Sequence, residues 1–519
     1  MQLASRRRHV RMVSRFRLAS NSLTIMLRKL KYIAALTAVL TLNSCGSDYL
    51  DINKNPNDAV SSTPELVLSA ALNATAGLLT HNQVGHFWAG HWSPSGSVSG
   101  FNPEKTYDLP SNFSTGIWTS SYDNLADYDY IEKAATTSKQ PAFIGIAKVM
   151  KAYVFQRLVD TYGNVPYTEA LKGTAILRPK YDDAQSIYDA LVADLDVAVT
   201  NLKTPIASDN PSPGGADIVF AGNMSKWLRF ANTLKLRLLL RQTNIASKES
   251  AIKSGIAKAV SDGGFLGADE NALSTPGYLK STGKQNPFWE NYGFTVSNTL
   301  SGNHDFYTNA DFFITYLVSN NDPRLSRFAT PATDAQYRGQ YRGVPFGEGS
   351  DPYLYAKTAG FGPAILKGFD QPQVLMQSAE SFFLQAEAAF RGYTSGNAQT
   401  LFENGITESF KFLGVTDAAK TAATYYSDPV SGRNYAASTN KLEAIITQKW
   451  VALGAFGGFE AWTEYRRTGF PKVPLSTRAV GTKPVARLLY PQQEQGTNQA
   501  NVLAQGTISQ FDTKIFWMK

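Results

Sequence analysis

Trp227-Leu-Arg-Phe-Ala-Asn-Thr-Leu-Lys-Leu-Arg-Leu-Leu-Leu-Arg241 decides the fold class. The stretch is apolar nearly all round a helical cylinder, which predicts a helix buried on most of its sides. Such a helix needs partners, and the sequence on both sides supplies more helices. Tyr188, Leu191, Leu195 and Ala198 repeat at spacings of three and four, with Asp189, Asp194 and Asp196 between them. Leu375, Ala379, Phe382, Ala386 and Ala389 form a second stripe, whose alanines would let a neighbouring helix approach closely. The same reasoning predicts helices over 116–137, 143–160, 184–202, 224–243, 374–391, 398–413 and 438–453. Thr63-Pro64-Glu65 places a cap residue before a proline at the first helical position, and an apolar helix follows to about Leu79. Paired as antiparallel hairpins, these helices bury faces that none could bury alone. The expected fold is mostly α.

Long segments rich in Gly, Pro, Asn, Ser and aromatics separate the helices: 81–114, 203–222, 265–310 and 330–372. Loops of this length in a compact protein are either functional or disordered, and their aromatic content argues against disorder. Only 18% of all residues are charged and 12% are aromatic, which excludes a disordered or coiled-coil chain.

The net charge of +8 belongs to one end. Residues 1–44 carry Arg6, Arg7, Arg8, Arg11, Arg15, Arg17, Arg28, Lys29 and Lys31 and no acid. Without those nine charges the remainder stands near −1, so the basic balance gives no reason to expect a nucleic-acid partner. Met26-Leu-Arg-Lys-Leu-Lys31 reads as the basic region of an export signal. Tyr32 to Leu42 is its apolar core, too short to span a bilayer. Ser44 then precedes Cys45, the single cysteine of the chain. The expectation is a lipoprotein signal that starts at Met26 and ends at Ser44, with Cys45 as the lipid anchor, 45–62 as a lipidated tether and 63–519 as one helical domain. Acylation accounts for the lone thiol and leaves no intrachain disulfide or cysteine-based zinc site.

Candidate binding residues lie in two loop stretches. His81 to Trp118 holds Phe87, Trp88, Trp92, Phe101, Tyr107 and Phe113 among Gly, Ser and Asn. Residues 286–307 repeat the theme with Phe288, Trp289, Tyr292, Phe294, Asn303 and Tyr307. Sugar rings stack their C–H faces on flat aromatics while amides bond the hydroxyls. Trp88, Trp92, Phe101, Tyr107, Trp289, Tyr292 and Asn303 are therefore the expected ligand residues; the competing reading is that the rings plug gaps between helices. Tyr162-Gly-Asn-Val-Pro-Tyr167 reads as a rigid helix exit. Glu380 and Glu387 fall on one helical face, an arrangement suited to bonds with backbone or arginine of a neighbouring helix rather than to a glycosidase pair. Arg466 and Arg467 are expected to pair with acids such as Glu460 or Glu464. His81, His86 and His91 recur every five residues, a spacing that aligns no three ligands on a helix or a strand. No phosphate-loop, nucleophile-elbow or metalloprotease motif is present, and neither a catalytic residue, a cofactor nor a metal site is expected.

Seven stretches in order carry a family resemblance: Leu158-Val-Asp-Thr-Tyr-Gly-Asn-Val-Pro-Tyr-Thr-Glu-Ala170, Trp227 to Arg237, Asn321-Asp-Pro-Arg-Leu325, Ser378-Ala-Glu-Ser-Phe-Phe-Leu-Gln-Ala-Glu-Ala388, Gln448-Lys-Trp450, Glu464-Tyr-Arg-Arg-Thr-Gly469 and Arg487-Leu-Leu-Tyr-Pro491. Behind a lipobox-like signal, they resemble the SusD/RagB family of outer-membrane nutrient-binding lipoproteins, in its SusD-like branch. The resemblance implies a scaffold of tetratricopeptide-like helix pairs. It also implies a seat on a TonB-dependent SusC-type transporter at the cell surface, and an oligosaccharide or, for some members, a peptide as ligand. A lipid-anchored glycoside hydrolase and a purely structural helical-repeat scaffold are the readings that compete with nutrient binding.

Overall fold

The computed structural model describes residues 62–80 and 83–519. The expected signal, the Cys45 anchor, the start at Met26 and nearly all of the 45–62 tether lie outside the described residues, as does His81. Residues Thr63–Lys519 form one compact unit.

Helices α1 (Pro64–Thr80), α2 (Gln83–Trp88), α3 (Thr115–Ser138), α4 (Pro141–Tyr162), α5 (Ala184–Leu202), α6 (Met224–Arg241) and α7 (Glu249–Ser261) build the first half. Each of α3 to α6 packs on the next, and α1 lies against α3. Asp183 and Asn223 cap α5 and α6 by accepting the N–H groups of Ser186 and Lys226, which removes orphan donors at both helix starts. All residues of α6 from Phe230 to Arg241 are buried, polar ones included, as its pattern predicts. Helix α4 ends at Gly163, so the Tyr162–Tyr167 stretch is the expected rigid exit.

The second half pairs α10 (Ser378–Phe390) with α11 (Ala398–Leu413), α11 with α12 (Ala418–Ser427), and α10 with α13 (Lys441–Ala452). Between the halves come the short α8 (Pro287–Tyr292) and α9 (Asp311–Ser319), and α14 (Gly458–Thr468) follows α13. The stripe on α10 is corrected in detail. Ala379, Phe383 and Ala386 are buried, whereas Phe382 and Ala389 are half-buried and Leu375 belongs to a strand. The tight contact falls on α11: a Cβ at Gly405 would sit 2.7 Å from Phe383. One position of drift in the helical phase moves a ring from the rim to the core, and composition alone does not set that phase.

The long segments are knitted together by two small antiparallel ladders. β1 (Trp92–Pro94) pairs with β3 (Tyr307–Asn309), and β2 (Ala272–Ser274) pairs with β4 (Gln373–Met376). Three- and four-residue strands show no alternation long enough to read in sequence. Helix α6 touches α10, and a buried ion-pair lattice crosses that seam. Arg237 meets Glu380 at 2.9 Å, Arg467 meets Glu387 and Glu464 at 2.6 Å each, and Arg241 meets Glu460 at 2.6 Å and also bonds Glu464.

Candidate functional site

The first aromatic stretch turns out to be core. Trp88, Trp92 and Tyr107 are 5%, 3% and 4% exposed. Each has its polar atom engaged. The Trp88 indole donates to the Glu104 carbonyl at 3.2 Å, the Trp92 indole to the Gly454 carbonyl at 3.0 Å, and the Tyr107 hydroxyl accepts the Ser476 N–H at 2.9 Å. Trp88 packs on Trp462, with ring centroids 5.0 Å apart, and Trp92 on Phe361 at 4.7 Å. Phe101 is half-buried between Phe87 and Tyr307. For Trp88, Trp92 and Tyr107 the expected ligand role is thus corrected to the competing one, rings that plug gaps between helices. Rings placed in irregular segments here fill the space against α14 and the 453–457 turn.

This packing rests on a contact between glycines. A Cβ at Gly85 would lie 2.5 Å from the Phe459 backbone, and one at Gly458 would lie 2.4 Å from the His86 ring. The close crossing of α2 and α14 fixes a chain of hydrogen bonds. The Gly458 N–H donates to His86 Nε2 at 3.2 Å, so the His86 proton sits on Nδ1 and donates to His91 Nδ1 at 3.3 Å. The His91 proton then sits on Nε2 and donates to the Trp450 carbonyl at 2.9 Å. Every ring nitrogen is satisfied when both rings are neutral, and an added proton would face another N–H. Burial, and for His86 the nearby His91, holds both below the ordinary imidazole range, His91 at about 3. Among the described residues no cluster of three or more His, Cys, Asp or Glu could hold a metal.

The second stretch behaves differently. Asn286 caps α8, its side chain accepting the N–H groups of Phe288 and Trp289 at 3.0 Å, with Pro287 at the first helical position. Phe288 turns inward. Trp289 turns outward: of the eight tryptophans in the sequence it alone is not buried. Its indole N–H has no hydrogen-bond partner among the described residues, in contrast to the donating indoles of Trp88 and Trp92. A Cβ at Gly293 would sit 2.9 Å from the Trp289 ring, so the glycine lets the backbone lie flat beside the indole. Phe294 packs beside it at 5.4 Å, His304 follows at 5.7 Å from Phe294, and Tyr355 at 5.4 Å from His304. His304 is held by the Tyr292 carbonyl at 2.9 Å. The half-buried Asn303 has a side-chain amide with no partner among the described residues. Tyr292 supports the patch from below through Phe288 and Tyr307, its hydroxyl 3.3 Å from that of Tyr307.

Trp289, Tyr292 and Asn303 are thus near neighbours in one loop cluster, and Trp88, Trp92 and Tyr107 are not part of that surface. His304 and Tyr355 were missed. Tyr355 comes from the 330–372 segment, so no local spacing links it to Trp289. Burial raises the Tyr355 hydroxyl to about 12, which keeps it a neutral donor at ordinary pH.

Glu380 and Glu387 are each tied to an arginine, Arg237 and Arg467, as the sequence leads one to expect. Arg467 pairs with Glu464. Arg466 departs from expectation: it lies 3.4 Å over the Trp462 ring and donates to the Ala486 carbonyl at 2.8 Å. Glu380 and Glu387 are each buried against an arginine and do not face each other across a cleft as a glycosidase pair does.

The family model described as "Starch-binding associating with outer membrane", SusD-like, matches residues 56–491. Among solved structures, a chitin-binding protein is 28% identical, with 88% of this chain and 100% of its own covered and a TM-score of 0.73. A chitin-binding SusD homolog from Flavobacterium johnsoniae is 27% identical over 88% of this chain and 98% of its own, at a TM-score of 0.72. A SusD-like protein from Bacteroides thetaiotaomicron is 25% identical over the same shares, at 0.73. No curated protein sequence matches. With a match over most of its length and the tetratricopeptide-like helix pairs in place, the chain belongs to the SusD-like family of starch-binding proteins associated with the outer membrane.

Proposed function

We propose that the protein captures an oligosaccharide at the cell surface on the Trp289 patch and delivers it to a partner TonB-dependent transporter of the SusC type. It acts by binding and not by catalysis. The observation that carries this reading is Trp289 itself: a half-buried indole with an unused N–H, in one loop cluster with the free amide of Asn303. A flat ring offers stacking to a sugar face, and the amide and N–H offer bonds to hydroxyls. The binding of chitin by two relatives supports a glycan of the β-linked amino-sugar class as the first to try. In the same reading Cys45 carries the lipid anchor, the signal begins at Met26 and residues 63–519 work as one helical domain on the outer membrane.

Calorimetry with chitooligosaccharides, maltooligosaccharides and a peptide pool tests the proposal. Trp289→Ala is expected to weaken binding by about 1–3 kcal/mol with the circular dichroism unchanged, and Asn303→Ala by less. Chromatography of the same mixtures should show no shortened product. Binding of peptides alone, or full glycan affinity in Trp289→Ala, would overturn the assignment. For the anchor, Cys45→Ala should release the protein from membranes, and a mature protein still carrying residues 1–44 would refute it.

A further inference from the structure

A cavity of about 50 Å³ opens beside α4, where β4 and the 453–460 turn meet it. One water needs roughly 10–15 Å³ of such space, so the cavity has room for only a few. The half-buried side chains of Leu79, Phe456 and Phe459 line it and connect it to solvent. Three carboxylates line it too, and each is already engaged. Glu380 is held by Arg237 at 2.9 Å. Glu460 is held by Arg241 at 2.6 Å and Lys449 at 3.1 Å. Asp160 accepts from the Trp517 indole at 2.9 Å, from Gln156 Nε2 at 3.2 Å and from the Tyr188 hydroxyl.

Arg157 is the exception. It is 6% exposed, and its guanidinium meets no carboxylate and no hydrogen-bond acceptor among the described residues; Nε is buried without a partner. Its one charge contact is the Phe459 ring, 4.8 Å away. Around it, Gln377 is buried with both amide atoms unpaired, and Gln156 Oε1 is unpaired as well. Unsatisfied buried groups are rare in folded proteins, and several in one cavity indicate a missing partner. Water can satisfy the two amides. It supplies no counter-charge to a buried cation.

We propose that this cavity is a carboxylate subsite: Arg157 receives the anion, Gln377 Nε2 donates a second bond, and the Gln156 and Gln377 carbonyls accept from a neighbouring hydroxyl. Donors for an anion beside acceptors for a hydroxyl fit the acid end of a hydroxylated ligand, of the uronic acid class. Burial lowers the Arg157 guanidinium only to about 10, so it is cationic at neutral pH. The inference goes beyond the glycan reading and does not depend on the Trp289 patch.

The test is calorimetry and thermal unfolding of the whole protein at low ionic strength with glucuronate, glucose and acetate. Glucuronate is expected to bind and to raise Tm, glucose to do neither, and acetate to bind at least tenfold more weakly than glucuronate. Arg157→Gln should cut glucuronate affinity at least tenfold with the circular dichroism preserved, and Arg157→Lys should retain part of it. Should Arg157→Gln not fold, Gln377→Leu provides the second variant and should weaken glucuronate severalfold. Absence of glucuronate binding, equal response to glucose, or unchanged affinity in these variants would overturn the proposal. So would a glucuronate-soaked crystal with ordered water only in the cavity. Acetate binding as tightly as glucuronate would overturn the hydroxylated class.

Discussion

Acidification should destabilise this protein before the carboxylates of ordinary value titrate, and His91 sets the size of the effect. In the folded state its Nδ1 accepts from His86 and its Nε2 donates to the Trp450 carbonyl, so a further proton has no acceptor. Its folded value of about 3 lies below the ordinary 6.5. The unfolded chain therefore takes up a proton near pH 6.5 that the folded chain refuses, and stability falls as pH falls. The contribution is fully present above about pH 6.5, declines below it and levels off near pH 3. Linkage between those two values gives a loss of about 2 kcal/mol at pH 5 from His91 alone. His86, lowered in the same direction, adds to it. The pH 7.5 to 5 window is informative because Asp and Glu with ordinary values stay ionised across it. Urea unfolding at pH 7.5, 6.5, 5.8 and 5.0 measures the slope. In His91→Phe the ring still packs beside Phe313 and Trp450. That variant should start about 1–3 kcal/mol less stable, since His86 Nδ1–H and the Trp450 carbonyl lose their partner, but should show a shallower slope. A wild-type stability equal at pH 7.5 and 5.0, or an identical slope in His91→Phe, would refute the account of the two rings.

Trp88→Ala and Trp92→Ala should each cost roughly 3–5 kcal/mol of stability, seen in chemical denaturation, because both rings are core. Arg467→Met removes the guanidinium that bridges Glu387 and Glu464, leaving Glu387 only Arg391 and Glu464 with Arg241, and should cost about 3–5 kcal/mol by the same assay. Ala386→Phe should overpack the α10 contact at about 1–3 kcal/mol, while Ala389→Phe, at a half-buried position, should leave Tm nearly unchanged.

The helices were legible because their signals are local. Caps at Asp183 and Asn223, the exit at Gly163 and the apolar surface of Trp227–Arg241 each state their structure within one or two turns. The roles of Glu387 and Arg467 were legible for a related reason: acids and bases within otherwise apolar helices have few options other than each other. The tryptophans were not legible. Trp88, Trp92 and Trp289 have the same loop-like neighbourhoods in sequence, yet Trp88 meets Trp462 of α14 and Trp92 meets Gly454 of the 453–457 turn, far along the chain, whereas Trp289 packs on Phe294 of its own loop. Burial of a ring in irregular backbone depends on what the rest of the chain brings to it. A weak local sign did exist. Both Trp88 and Trp289 sit in short helices, α2 and α8, but Trp88 follows His86 and Phe87 and precedes Ala89, whereas Trp289 is followed by the polar Glu290 and Asn291. The free Arg157 was hidden for the opposite reason, since on sequence it is one more arginine in a long helix.

The Trp289 loop also has a construction that separates its exposed face, the proposed ligand surface, from the fold. Ser301 N–H donates to the Gly293 carbonyl at 3.1 Å and Thr295 N–H to the Thr299 carbonyl at 2.8 Å, so residues 293–301 close on themselves. At the base Ser301 Oγ donates to the Asn291 carbonyl at 2.7 Å, and Asn286 ties α8 to the Gln371 carbonyl at 2.8 Å. Beyond that base, Ser297, Asn298, Thr299 and Leu300 are exposed, Leu300 at 59%. Their side chains add nothing to the core; Asn298 holds a left-handed backbone and Thr299 Oγ1 lies 2.8 Å from Thr295 Oγ1, whereas Ser297 and Leu300 carry no such constraint. On the proposed reading, substitutions at Ser297 or Leu300 change which ligand sits beside Trp289 without weakening the scaffold, whereas substitutions at Gly85 or Gly458 weaken it, because a single Cβ at either position collides with the opposite helix. Variation in ligand preference is therefore open to the loop and closed to the seam of helices beneath it.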